Sequence, residues 1–213
     1  MISSLAILVL GATVAERCPA IVGGELSLAT LEAERRHHYL AQLLEEESGR
    51  AELWSTLWGG AYASLTMVQL SIAPGQNKDD RIDSVVGGAS SVVGIAQLVF
   101  LPLTIIEDGR GLRDRPLDLG APCLQLADLE DRLIRGAESE AFGTSWVTHV
   151  GCLAFNLIIG AILGFGYGHW AAAAISAGVG VATGELMIWT QPDRLSEALQ
   201  DYRQGILRFE GRF

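Results

Sequence analysis

The sequence predicts an all-α membrane protein with four transmembrane helices in two tight hairpins, together with amphipathic helices on one membrane face. Three observations predict this fold class. Only 19% of the 213 residues are charged and 25 are glycine, which is unlike an ordinary soluble surface. The charges are segregated, so that 53–77, 84–106 and 141–184 contain no Asp, Glu, Lys or Arg. All five tryptophans lie near the ends of the predicted spans.

The uncharged runs set the number of spans, because a helix needs roughly 20 apolar residues to cross about 30 Å of hydrocarbon. The first two runs fit one crossing each and the third fits two, which places the spans at 53–73, 83–106, 146–167 and 169–190. Tryptophan prefers the membrane interface. The tryptophans that we expect to act as interface anchors are Trp54, Trp58, Trp146, Trp170 and Trp189.

Short turns join the spans in pairs, and longer charged segments separate the pairs. Pro74 and Gly75 begin the first turn, and 166–169 form the second. Each pair is thus predicted to be a helical hairpin, with the charged segments together on the opposite face. The predicted organisation is a candidate signal peptide at 1–15, a charged amphipathic helix at 16–52, the first hairpin at 53–106, a charged helical connector at 107–145, the second hairpin at 146–190 and an amphipathic C-terminal helix at 191–213.

The three charged segments show the apolar periodicity of helices. The repeating positions are Leu28, Leu31, Leu40, Leu43 and Leu44 in the first segment, Leu126, Leu129, Leu133 and Ala137 in the second, and Leu195, Leu199, Tyr202, Ile206 and Phe209 in the third. Ser48-Gly49 predicts a helix break before the first span, whereas Pro122 and Pro192 mark helix starts. We expect the apolar stripes to pack on one another; lying in the membrane interface is the alternative.

The two hairpins resemble each other in sequence. Identical residues recur at the same spacing in both: Trp54, Thr56, Gly59 and Leu65 correspond to Trp146, Thr148, Gly151 and Leu157. A tandem repeat of this kind would give both units the same orientation, as in parallel repeats of some transporters. Convergent use of interfacial tryptophan and small packing residues is the alternative explanation.

Two rules conflict over the orientation. Residues 2–15 are apolar or small and end in Thr13-Val14-Ala15, which resembles a secretory signal and its cleavage site and places the charged segments outside the cytoplasm. The positive-inside rule predicts the reverse, because these segments carry 13 of the 15 Lys and Arg residues. The signal-like start favours periplasmic segments. The ratio of 14 Arg to one Lys is typical of a GC-rich genome, which favours a bacterial inner membrane.

The cysteines bear on the same question. Cys18 and Cys123 both lie in charged segments, so a disulfide between them is expected if those segments face an oxidising compartment and not if they face the cytosol. Cys152 lies within a predicted span and is interpreted as a small packing residue.

Polar chemistry within the predicted spans is scarce. Apart from Asp83, the first residue of the second span, Glu185 is the only carboxylate there, and an intramembrane ionisable residue indicates a functional site by default. With Gln97, Asn156 and Ser64 it forms the candidate polar site. Because Glu185 is close to Trp189 and the interface, the favoured interpretation is a structural role, in reaching polar headgroups or in accepting hydrogen bonds from Gln97 or threonines. A proton or cation site is the alternative.

Glycines at four-residue steps predict close helix packing, since lipid provides no hydrophobic drive for helix association. The predicted packing residues are Gly160, Gly164, Gly168, Gly180 and Gly184. This pattern predicts either a tight bundle or an oligomer.

The function expected from these features is structural. No nucleophile with a base, phosphate loop, HExxH or CxxC spacing is present, so we predict no catalytic residue, cofactor or metal site and disfavour an enzyme. A net charge of −10 disfavours nucleic acid. We expect a scaffold in the lipid bilayer that forms a homo-oligomer or joins a membrane complex. The alternative is a small transporter or channel component that uses Glu185 and Gln97.

Overall fold

The computed structural model describes residues 17–116 and 120–208, and every regular element within these ranges is helical. The candidate signal peptide at 1–15 and Phe209 lie outside the described residues. The helices are α1 (Leu26–Ala29), α2 (Ala33–Ile72), α3 (Lys78–Phe100), α4 (Ile105–Asp108), α5 (Pro122–Gly143), α6 (Trp146–Ala161), α7 (Trp170–Trp189) and α8 (Arg194–Arg203). A 3₁₀ turn at Ala73–Gly75 follows α2, and a π-helical turn at Ile162–Gly166 extends α6.

Helix α2 runs unbroken for 40 residues, so the break predicted at Ser48-Gly49 is wrong. Ser48 donates its hydroxyl to the Ile106 carbonyl oxygen (3.1 Å) rather than interrupting the helix. A glycine inside a helix costs only about 1 kcal/mol, which packing of both flanking halves can offset. At 1.5 Å per residue, α2 is about 60 Å long and carries the charged segment directly into the first uncharged run.

Three helices are long and apolar enough to cross a membrane: Lys78–Phe100, Trp146–Gly166 and the helix that begins at Trp170. They correspond to the second, third and fourth predicted spans. The first predicted span, 53–73, forms the C-terminal half of α2 and is not among them. Its sequence contains Gly59, Gly60 and Gln69, with further Ser and Thr residues, and these lower its hydropathy.

The charged segments pack on one another as a separate layer, which we call the cap: residues 17–52 and 103–116 together with α5 and α8. Their apolar stripes face inward as expected and form one core. Its fully buried side chains include Leu28, Leu40, Leu44, Ile105, Leu112, Leu126, Leu133, Leu195 and Tyr202. The stripe of the C-terminal segment is shorter than predicted, because α8 ends at Arg203 and Ile206 follows it exposed.

Two crosslinks hold the cap together. A disulfide joins Cys18, ahead of α1, to Cys123 in the first turn of α5. The fully buried Arg36 of α2 forms an ion pair with Glu130 of α5 and donates to the Tyr202 hydroxyl of α8 (3.0 Å). Burial and the adjacent Glu130 carboxylate raise the pKa of Tyr202, so its hydroxyl stays protonated and donates to Glu130.

The uncharged helices pack as two pairs: the C-terminal half of α2 with α3, and α6 with α7. Glycines make the close contacts within each pair. A Cβ at Gly180 of α7 would lie 1.9 Å from Asn156 Oδ1, and one at Gly184 would lie 2.3 Å from Cys152 Sγ. Gly160 of α6 and Gly164 of the π-helical turn contact residues of α7 in the same way. These four predicted glycines therefore serve packing within one helix pair.

Gly168 has a different role from the predicted packing role. It lies in the turn between α6 and α7 with a φ of +77°, and no atom lies within 4 Å of the position of an added Cβ. Only glycine adopts this left-handed conformation without strain. Gly168 thus reverses the chain, and this sets the register in which α7 returns along α6.

The aligned residues of the predicted repeat have unequal surroundings. Trp54 lies inside the continuous helix α2, whereas Trp146 is the first residue of α6. Asn156 packs on Gly180, whereas the corresponding Ser64 is exposed and donates to the Gly60 carbonyl oxygen (2.8 Å). The repeat therefore stays a prediction from sequence.

Candidate functional site

A cavity of about 610 Å³ lies between the two helix pairs. All four helices of the pairs contribute to its wall, with one residue from the end of α5. Its polar lining residues are Tyr62, Gln69, Ser90, Ser91, Gln97, Thr148, Cys152, Asn156, Ser176 and Thr183. Its apolar lining residues include Leu65, Val93, Phe142, Val147, Phe155, Ile175, Val179, Met187 and Ile188.

Hydrogen bonds tie the helix pairs together at the cap end of the cavity. The indole nitrogens of Trp54 and Trp58 donate to the hydroxyl oxygen of Thr190, at 3.3 and 3.0 Å. Two of the predicted interface anchors therefore also hold α2 to the end of α7. Trp146 and Trp189 are 74% and 77% exposed at the same end.

A histidine ties the pairs at the opposite end. His169, in the turn before α7, lies 2.6 Å from Asp83 of α3, measured from Nδ1 to Oδ1. The hydrogen bond to Asp83 and the charges of Asp83, Asp79 and Asp80 raise the pKa of His169. Trp170, the remaining predicted anchor, follows it and packs edge-on against Phe165 (4.8 Å between ring centroids). With both ends tied, the middle of the two pairs remains apart, and the partly open cavity lies in this gap.

No Asp, Glu, Lys, Arg or His lines the cavity among the residues that the structure describes. The polar lining groups are hydroxyls, carboxamides and one thiol. Several of these polar groups form a hydrogen bond within their own helix. Asn156, for example, donates to the Cys152 carbonyl oxygen (2.8 Å). The side chains of Tyr62, Gln97 and Thr183 make no hydrogen bond within the described ranges. The cavity can therefore accept an uncharged molecule and offer it hydrogen bonds.

The four residues of the predicted polar site do not form one cluster. Gln97 and Asn156 line the cavity, whereas Glu185 and Ser64 do not. The Glu185 carboxylate lies 2.6 Å from His149 Nδ1, and no hydrogen bond joins it to Gln97. This partner could have been found from the sequence, because a turn centred near 167 places His149 of α6 opposite Glu185 of α7.

The sequence did not reveal two fully buried carboxylates of the cap. Glu47 and Glu140 are both fully buried where α2 and α5 meet the start of α8. Glu47 pairs with Arg194 (3.4 Å) and Arg50 (3.2 Å), and Glu140 accepts the Leu195 N–H (2.8 Å). Burial, followed by the charge of Glu47, raises the pKa of Glu140 to about 8. In sequence both residues look like ordinary surface charges of amphipathic helices.

We expect Glu140 to make cap stability fall as the pH rises. Its pKa is about 8 in the folded protein and near 4.5 in the unfolded chain, so the folded state binds the extra proton between these values. The resulting stability is complete below pH 4.5 and lost as the pH rises through 8. Glu140→Gln should flatten the dependence of Tm on pH between about 5 and 9. The exposed Glu138→Gln is the control on the same helix; an equal flattening there would contradict the assignment.

No protein-family model, curated protein or solved structure matches this chain. What the molecule does must therefore follow from the chemistry of its own residues. The two features that bear on function are the crosslinked cap and the uncharged cavity between the helix pairs.

Proposed function

We propose that this is an integral membrane protein of structural or scaffolding type, whose cap is an adaptor surface on the periplasmic face of a bacterial inner membrane. The proposal includes four crossing helices, arranged as two hairpins. The observation that carries it is the unbroken helix α2, which enters the cap core and continues along α3. A cap fixed in this way cannot rotate independently of α2 and α3. A platform for other proteins requires such a fixed position.

Packing supports the fourth crossing. From Trp54 to Ile72 the uncharged half of α2 extends about 27 Å, close to the thickness of the hydrocarbon core. It packs along α3, which is itself long and apolar enough to cross. Glycines of α3 provide the close contacts: Gly94 lies under the Tyr62 ring and Gly88 under Leu70. A helix in such contact with a membrane-crossing partner occupies the same layer.

The disulfide supports a cap outside the cytoplasm. Disulfides persist in oxidising compartments such as the periplasm and are rare in the cytosol. Cys18 and Cys123 are paired in the cap. Intact cells exposed to a membrane-impermeant phosphine and then to a maleimide of high mass should show two mass additions, removed by Cys18→Ser/Cys123→Ser. Modification only after lysis would place the cap in the cytoplasm.

The exposed surface of the cap is the proposed adaptor surface. It carries exposed charges of both signs, including Glu34, Arg35, Asp131 and Glu138. The predicted packing glycines at 160, 164, 180 and 184 already make close contacts within the second helix pair. The surfaces available for binding a second copy or another protein are therefore the cap and the remaining helix faces.

The adaptor role can be tested by crosslinking in cells. A photoreactive amino acid at Glu34 or Glu138 should give discrete protein adducts, either a dimer of this chain or one recurrent partner in stoichiometric amount. The same group at Val92, on an exposed face of α3, is the control for random encounters in the membrane. A monomer without stoichiometric partners after mild extraction, and without cap adducts in cells, would contradict the scaffold.

A transporter or channel component is the second candidate, favoured by the presence of Gln97 in the cavity wall. Glu185 would then act as the ionisable group, although its carboxylate is paired with His149 outside the lining. Ion or solute flux through purified protein in proteoliposomes tests this candidate. Flux that Glu185→Gln abolishes would support it, whereas no flux, or flux unchanged by that substitution, would eliminate it.

A further inference from the structure

We infer that the cavity between the helix pairs binds an uncharged lipid with a hydroxyl-bearing head group, of the glycerol-ester class. This inference is independent of the adaptor role of the cap, and it assigns a ligand site that a scaffold does not require. It rests on the shape of the cavity, on the absence of charge in its wall and on the distribution of its polar groups.

The cavity is long and runs along the helices. Its lining extends on α7 from Ile175 to Ile188, which at 1.5 Å per residue is about 20 Å. That length is about two thirds of the hydrocarbon thickness of a bilayer. Its volume of about 610 Å³ is within the range of pockets that hold small molecules. A single extended molecule aligned with the helices fits this shape.

The wall chemistry selects an uncharged molecule. A phosphate or ammonium group would enter a site whose described lining carries no charged side chain, and an unpaired charge is expensive in a low-dielectric interior. The wall does offer hydrogen bonds from groups without protein partners, including Tyr62, Gln97 and Thr183. Such groups need a polar partner when water is excluded. A hydroxyl or ester oxygen of the ligand can provide it.

Polar and apolar side chains alternate along the wall, and this favours a lipid over an aqueous path. On α7, for example, Ile175 and Val179 alternate with Ser176 and Thr183. A water-filled path would require a continuous polar wall, whereas a ligand site combines apolar walls with a few placed polar groups.

Two glycines of the second helix pair allow a matched test. Gly151 lines the cavity and Gly178 does not, and at neither residue would an added Cβ have an atom within 4 Å. Gly151→Leu should therefore fill the cavity without disturbing the helix contacts. Gly178→Leu makes the same change in a helix of the same pair, away from the cavity, and equal thermal unfolding of both variants confirms that they fold.

The probe is a diacylglycerol with a diazirine in one acyl chain, reconstituted with the full chain in nanodiscs. Phosphatidylglycerol with the same chain is the charged comparison. Mass spectrometry of the photoadducts should show lining residues such as Phe155 and Val179 labelled at least about fivefold more by the uncharged probe, the effect of one hydrogen bond. Gly151→Leu should remove this excess and Gly178→Leu should retain it.

Two results would overturn the inference. Equal labelling of the lining by both probes, or an excess that Gly151→Leu leaves intact, would mean that no selective site for uncharged lipid exists. The free thiol of Cys152, in the cavity wall, provides the second readout. Rapid modification by a charged methanethiosulfonate would show an aqueous cavity and exclude the lipid, whereas modification only by an uncharged maleimide agrees with a lipid-filled one.

Discussion

Replacing Arg36 with alanine should destabilise the cap by about 3–5 kcal/mol, the cost of removing one partner from a buried ion pair. The guanidinium is fully buried and donates to four acceptors in three parts of the chain. It contacts Glu130 of α5, the Tyr202 hydroxyl of α8 and the carbonyl oxygens of Cys18 and Pro19. Without it, the Glu130 carboxylate would be left buried beside Tyr202 alone.

Thermal unfolding of the solubilised protein, followed by hydrogen exchange in α5 and α8, measures this loss. The exposed neighbour Arg35→Ala is the matched control and should change stability by less than about 0.5 kcal/mol. Tyr202→Phe keeps the stacking on Tyr39 (6.1 Å between ring centroids) but loses a hydroxyl bonded to charged groups, so it should cost about 1.5–3 kcal/mol. If Arg36→Ala behaves like Arg35→Ala, the buried network does not stabilise the cap.

The second helix pair shows how much of this fold is readable from sequence. The predicted spans 146–167 and 169–190 agree with α6 and its π-helical extension, and with α7, to within a few residues. Local signals determine both helices: an uncharged run long enough for two crossings, interrupted by Gly166 and Gly168. The positions of these two helices therefore do not depend on packing with residues distant in sequence.

Contacts between residues far apart in sequence determine the structural features that the sequence did not reveal. Gly49 looks like a helix end, yet α2 continues because the cap core and α3 hold its two halves. Glu47 and Glu140 look like surface charges, and only the approach of α8 buries them. The cavity likewise depends on contacts between the helix pairs, such as His169 with Asp83, which no short motif encodes.

Loss of the disulfide should have the second large effect on the cap. Cys18 and Cys123 are 105 residues apart in sequence, and closing a loop of that size removes about 4–5 kcal/mol of chain entropy from the unfolded state in the simplest treatment. Measured losses of native disulfides are about 2–5 kcal/mol. We therefore expect Cys18→Ser/Cys123→Ser to unfold at a clearly lower temperature and to lose protection first in α1 and the start of α5.

Cys152, the third cysteine, provides the control for the disulfide substitution. Cys152→Ser changes a free thiol in α6 and should leave exchange in the cap unchanged. Reductant should reproduce the double substitution in the native protein and have no further effect on the double variant. Because Arg36 bonds the carbonyl oxygens of Cys18 and Pro19, loss of the disulfide and loss of Arg36 should be coupled rather than additive. Strict additivity would show that the disulfide and the buried ion pair stabilise separate parts of the cap.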